Sequence, residues 1–159
     1  MFYSRLFAIG LAFAGDSGLA ASSSQESLRA VPLFFIEDTP SRFLIQVPGS
    51  AAVFTPDGVE FHAGGSLVRA KFQGANDAPR MQGVESMGFA NVLAGQDPSE
   101  WRTGLRTHRK VSYANLYPGI DLIYSGIDGR VKSEYRVAAG ADPKSIQTEY
   151  SGDLSIDAQ

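Results

Sequence analysis

The sequence predicts an all-β fold, a β-sandwich or open barrel of about ten short, mostly antiparallel strands. Apolar residues recur at every second position through most of its apolar runs, as they do when one face of a strand is buried. Glycine and proline clusters break those runs at short intervals, and no segment carries a long amphipathic helix. A chain of 159 residues is long enough to bury roughly two-thirds of its unfolded surface in one core.

At the start, Arg5 precedes the apolar run Leu6–Ala14, and Gly18-Leu19-Ala20 offers small residues where a signal peptidase reads them. The run is about half the length that spans a bilayer, so no transmembrane helix is expected in the mature chain. Residues 1–20 are therefore read as a secretory signal peptide, and the alternative is a buried N-terminal helix that tolerates Asp16. Residues 21–30, rich in serine, form a polar leader expected to be disordered, and residues 31–159 form a single all-β domain. The absence of cysteine excludes disulfides and thiolate zinc sites but leaves the compartment open.

The domain opens on the apolar run Pro32–Ile36, ended by Glu37-Asp38-Thr39-Pro40. Phe43, Ile45 and Val47 then share a strand face that Pro48-Gly49 closes. Phe54-Thr55-Pro56-Asp57-Gly58-Val59 predicts a hairpin with a type I turn and a glycine bulge at Gly58. After Gly64-Gly65, Val68, Ala70 and Phe72 alternate with Arg69, Lys71 and Gln73. From Arg80 to Glu100 three glycines interrupt the pattern, so only a short extended piece near Phe89–Leu93 is expected. Asp97-Pro98 reads as a cap and first position of a single helical turn, and Asp142-Pro143 repeats it.

Between those caps lies the stretch that organises the chain, Trp101–Tyr135. Arg109, Val111 and Tyr113 alternate with Lys110 and Ser112, and Asn115–Gly119 is expected to end that strand. Ile120, Leu122 and Tyr124 form the next, with Ile123 on the opposite side suggesting cover on both faces. Beyond the turn at Ser125–Gly129, Val131, Ser133, Tyr135 and Val137 oppose Lys132, Glu134 and Arg136. Ile146–Tyr150 and Leu154–Ile156 are read as two final strands.

A net charge of −3 gives no general attraction to nucleic acid or anionic membranes. Locally, Arg102, Arg106, Arg109, Lys110, Arg130, Lys132 and Arg136 outnumber Asp121, Asp128 and Glu134. With Trp101, Tyr113 and Tyr117 interleaved, an aromatic-basic surface comprising Trp101, Arg102, Arg106, Tyr113 and Tyr117 is the one binding candidate, weighed against an ordinary solvated strand face. Ser112, His108 and Asp121 compose a triad only on paper, for no G-x-S-x-G elbow poses the serine. Asp97, Glu100, Asp121 and Glu134 are better explained as caps and outward strand charges than as a glycosidase pair. His62 and His108 fall on separate strands, and no metal motif is present. Calcium at Asp97, Asp121 or Asp128 is outweighed by turn formation. No catalytic residue, metal or cofactor is expected.

The segments PLFFIED, FTPDGVEF, VRAKFQGAN, QDPSEWRT, YANLYPGIDLIYSG and EYRVAAGADPKSI, spread over about Pro32 to Ile156, resemble the N-terminal domain of bacterial cell-surface proteins that carry SBBP (seven-bladed β-propeller) repeats. That domain has no established activity, so the resemblance implies architecture and location, not chemistry. Two departures stand out. Thr39-Pro40-Ser41 makes a shorter first connection than that domain usually has, and the sequence stops at Gln159 before any propeller could begin. A fragment and a stand-alone domain both fit. The resulting expectation is an exported, non-enzymatic module with a structural or interaction role at the cell surface, contacting a glycan or protein and no nucleic acid. The alternative is a secreted carbohydrate-binding module or carbohydrate-active enzyme, favoured if Trp101 and Tyr117 line a groove.

Overall fold

A computed structural model describes residues 3–5, 33–93, 97–127 and 129–152. It is all-β: an 11-stranded antiparallel sheet curled into a half-barrel. In chain order the strands are β1 (Tyr3–Arg5), β2 (Phe35–Thr39), β3 (Arg42–Val47), β4 (Ser50–Thr55), β5 (Gly58–Ala63), β6 (Ser66–Gln73), β7 (Arg80–Val92), β8 (Arg102–Tyr117), β9 (Ile120–Ile127), β10 (Arg130–Val137) and β11 (Gln147–Gly152). Single 3-10 turns, Pro98–Glu100 and Pro143–Ser145, precede β8 and β11. Asp97 and Asp142 cap them as the sequence predicts, each accepting a hydrogen bond from the backbone N–H two residues on.

Neighbours across the sheet run β1-β10-β9-β8-β2-β3-β4-β5-β6-β11, with β7 added to β8 outside this path. β3 to β6 are successive hairpins, so local turns set their register. The Gly64-Gly65 turn has both residues at positive φ, 57° and 87°, the twist that a two-residue hairpin loop requires. At Thr55–Gly58 the hairpin is present, but the glycine bulge is not. Thr55 pairs directly with Gly58, whose φ is not positive. Glycine is needed there because a Cβ would sit 2.1 Å from the carbonyl oxygen of Ala70 on β6.

β8 carries the architecture. Along one edge it pairs with β7 from Arg102 to Ala114, and along the other it pairs first with β2 at Thr107–His108 and then with β9 from Lys110 to Tyr117. β2 and β9 thus meet end to end, where a Cβ on Gly126 would come within 2.5 Å of Leu33 Cβ. Contrary to expectation, Asn115 does not end the strand. It takes φ 54°, the register shifts between Tyr113 and Tyr117, and pairing resumes until Pro118-Gly119 turns the chain. The segment from Arg80 is likewise a strand of 13 residues, not a short piece. Its periodicity is hidden by register shifts between Ser86 and Gly88 and between Ala90 and Val92, and by Glu85 at φ 61°.

The concave side holds the core. Phe35, Phe43, Ile45, Phe54, Val59, Val111, Tyr113, Leu116, Tyr117, Ile120 and Leu122 are almost wholly buried. Phe54 makes edge-to-face contacts with Phe35 and Tyr124 at centroid distances of 5.1 and 5.0 Å. Full burial of each such ring contributes about 1.5–3 kcal/mol. Leu154–Ile156, the whole polar leader 21–30 and all of the expected signal peptide but residues 3–5 lie outside the described residues. Among the described residues, no helix is long and apolar enough to cross a membrane.

Candidate interaction site

The residues expected to form one aromatic-basic surface are separated by the fold. Tyr113 and Tyr117 are core residues without exposure, because the alternation of β8 turns Tyr113 to the concave side and Tyr117, four positions on and across a two-residue register shift that preserves the alternation, faces the same way. The Tyr113 hydroxyl donates to the Thr55 carbonyl at 3.0 Å, fastening β8 to the end of β4. The Tyr117 hydroxyl donates to the Gln147 carbonyl at 2.7 Å and accepts from the Gln147 N–H at 3.3 Å, fastening β8 to β11. Burial pushes both phenols up, Tyr113 strongly, because a tyrosinate there would lose its hydration. These tyrosines fasten the half-barrel.

Trp101, Arg102 and Arg106 remain on the surface, at the distal part of the β7–β8 ribbon. Here the local basic excess is largely neutralised. Arg102 and Arg42 flank Asp38, whose side chain is only 4% exposed, pinning the ribbon to the β2–β3 hairpin. Glu85 faces Arg109 and Lys110 and is held below its usual carboxylate range mainly by the hydrogen bond from Lys110. Arg136 lies 3.9 Å from Glu134. Among the described residues Arg106 carries no ion pair, and it stands cross-strand from Phe89.

Phe89 is the feature that the sequence reading missed. It is 76% exposed, and Leu93 at 59%, Met87 at 41% and Trp101 at 41% lie on the same ribbon. Phe89 lies on β7 and Leu93 directly follows its end. A period-two trace, Met87, Phe89, Asn91 and Leu93, is present in the sequence but was masked by Gly88 and Gly95. The outer edge of β7 pairs with no other strand among the described residues. Its N–H and C=O groups, flanked by exposed apolar side chains, form a template for another strand.

Other polar groups have structural partners. His108 Nε2 is 2.8 Å from Glu37 Oε2, and its buried Nδ1 has no partner. Gly83 lies against the imidazole, since a Cβ there would come within 2.3 Å of the ring, and the second nitrogen is thus closed off from any substrate. Asp121 Oδ1 accepts from the Asn115 N–H at 2.6 Å, stabilising the bulge, so Ser112, His108 and Asp121 form no relay. Asp128 lies outside the described residues. Where the two ends of the half-barrel approach, Tyr124, Ser133, Tyr135, Thr148 and Tyr150 line a cavity of about 30 Å³, space for a water molecule or two and not for a sugar ring.

A family model described as a domain of unknown function (DUF7948) matches residues 37–159. The chain belongs to this family. Nearly the whole described sheet from β2 onward falls within the match, including the ribbon and the tyrosine fastenings of DUF7948. No curated protein and no solved structure matches the chain.

Proposed function

We propose that this DUF7948 chain is an exported, non-enzymatic β module that serves as a structural or interaction element at the bacterial cell surface, forming the N-terminal part of a larger SBBP-repeat protein. The observation that carries the interaction role is the β7–β8 ribbon, where Phe89, Leu93, Met87 and Trp101 are exposed beside an open strand edge. Keeping such a surface in water is unfavourable, and a patch of this kind marks a contact site. Export rests on Arg5, the apolar run Leu6–Ala14 and the small residues up to Ala20. The sugar-stacking alternative has less support, since of its two aromatics Tyr117 is in the core and Trp101 alone is at the surface.

Because the chain has no cysteine, a single introduced thiol reports its location cleanly. His62→Cys, on an exposed hairpin distant from the ribbon, should react with a membrane-impermeant maleimide on intact bacteria that express the full chain. Labelling only after both membranes are broken would refute export.

A further inference from the structure

We propose that the folded domain masks its own export signal: the outer edge of β10 docks the N-terminal segment Tyr3–Arg5, and a chain folded in this way is not read for export. The inference rests on the reading of residues 1–20 as a secretory signal. β1 lies antiparallel on β10, with Tyr3 opposite Val137, Ser4 opposite Arg136 and Arg5 opposite Tyr135. Without β1, β10 would be the terminal strand on its side of the sheet, as β11 is on the other.

The backbone of β10 is turned to receive that segment. Just past the strand, the Ala138 N–H donates to the Gly119 carbonyl at 2.9 Å, continuing the register in which Arg136 pairs with Asp121 and Glu134 with Ile123 of β9. Backbone groups alternate between the two neighbours of a strand. Glu134 and Arg136 therefore bond toward β9, while Tyr135 and Val137 turn their N–H and C=O groups to the outer edge. These are the two residues that Arg5 and Tyr3 oppose. Left unpaired, they would form an edge open to any other strand.

Pairing on β10 and service as a signal exclude each other. Arg5 is the only Lys or Arg ahead of the apolar run Leu6–Ala14, and a secretory signal is read as an accessible basic segment followed by such a run. Drawing Tyr3–Arg5 into that role strips the partners from Tyr135 and Val137. The docking edge is also made late, since Tyr135–Val137 lies near the far end of the chain from Arg5. So long-range a contact is slow to close. A chain engaged before β10 folds is exported, and one that folds first withholds its signal.

Amide exchange of the full, unprocessed chain, followed residue by residue by nuclear magnetic resonance, tests the docking. Tyr135 and Val137 should be protected in the wild type. Tyr3→Pro keeps Arg5 and the apolar run but removes the Tyr3 N–H from the ladder. It should speed exchange at Tyr135 and Val137 by about tenfold or more and leave Glu134 and Arg136, bonded to β9, unchanged. Pulse-chase labelling in cells tests the masking, and the Tyr3→Pro precursor should be converted to its processed form several-fold faster. Rapid exchange at Tyr135 and Val137 in the wild type, or the same rates in the variant, would overturn the docking. Equal processing of the two chains would overturn the masking. If neither chain is processed, the export reading fails and the masking with it, while exchange still decides whether β10 holds the segment.

Discussion

Replacing Gly58 by alanine and, separately, by asparagine separates two explanations for the glycine that follows Pro56-Asp57. If Gly58 supplied a left-handed bulge, asparagine, which tolerates positive φ, would be the milder change. The structure assigns the glycine to close approach instead: its φ is not positive, and a Cβ would lie 2.1 Å from Ala70 O and 3.1 Å from Lys71 Cα. Relief requires β5 and β6 to separate by roughly 1 Å, an overpacking strain of about 1–3 kcal/mol. Against this, a side chain restricts the unfolded chain and returns about 0.4–1 kcal/mol. The net loss for Gly58→Ala is then about 1–2 kcal/mol, and asparagine, with more atoms in the same gap, should cost at least as much. Urea denaturation followed by far-ultraviolet circular dichroism reads this as a lowered midpoint with an unchanged slope. An asparagine variant more stable than the alanine variant would refute the close-approach argument.

Tyr117→Phe removes the partner of both the carbonyl and the N–H of Gln147, and should cost about 1–3 kcal/mol in the same denaturation assay. Asp38→Asn leaves Arg42 and Arg102 facing a neutral amide at a nearly buried site. A loss of about 2 kcal/mol is expected, and a double-mutant cycle with Arg102→Met should show coupling between them. Alkali should unfold the protein through its tyrosines. Burial raises Tyr135 to about 12, and Tyr124 and Tyr113 are also raised. A phenol whose folded pKa exceeds its unfolded value contributes stability that is fully present below pH of about 10 and is lost as pH rises through the folded value. Tyr135 alone accounts for about 2–3 kcal/mol of that loss, and titration of tyrosinate absorbance should show a steep transition coincident with loss of circular dichroism.

The all-β class and most strand faces were legible because the hairpins β3 to β6 and the pair β9–β10 each bury one side and expose the other. Val131, Ser133 and Tyr135 face inward as their spacing predicts. β7 was not legible, since its bulges reset the alternation and its exposed half has no buried face to impose one. Tyr113 and Tyr117 were misread as surface groups because basic residues flank them in sequence. Strand alternation places Tyr113 on the face opposite Lys110 and Ser112, and Tyr117, four positions on, follows it because Asn115–Tyr117 continues the strand where a turn was expected. Nor could the sequence show that Asp38 and Glu85, each remote in sequence from its β8 partners, neutralise Arg102, Arg109 and Lys110.

That the β7 edge, and not the seam between the ends of the half-barrel, is where this module makes contact is tested most directly by amide hydrogen exchange. The full chain would be compared alone and with a bacterial cell-surface extract added. Added protection confined to Gly88–Val92 and the adjoining ribbon is predicted. Protection that instead appears along β10 and β11, or nowhere, would contradict the account.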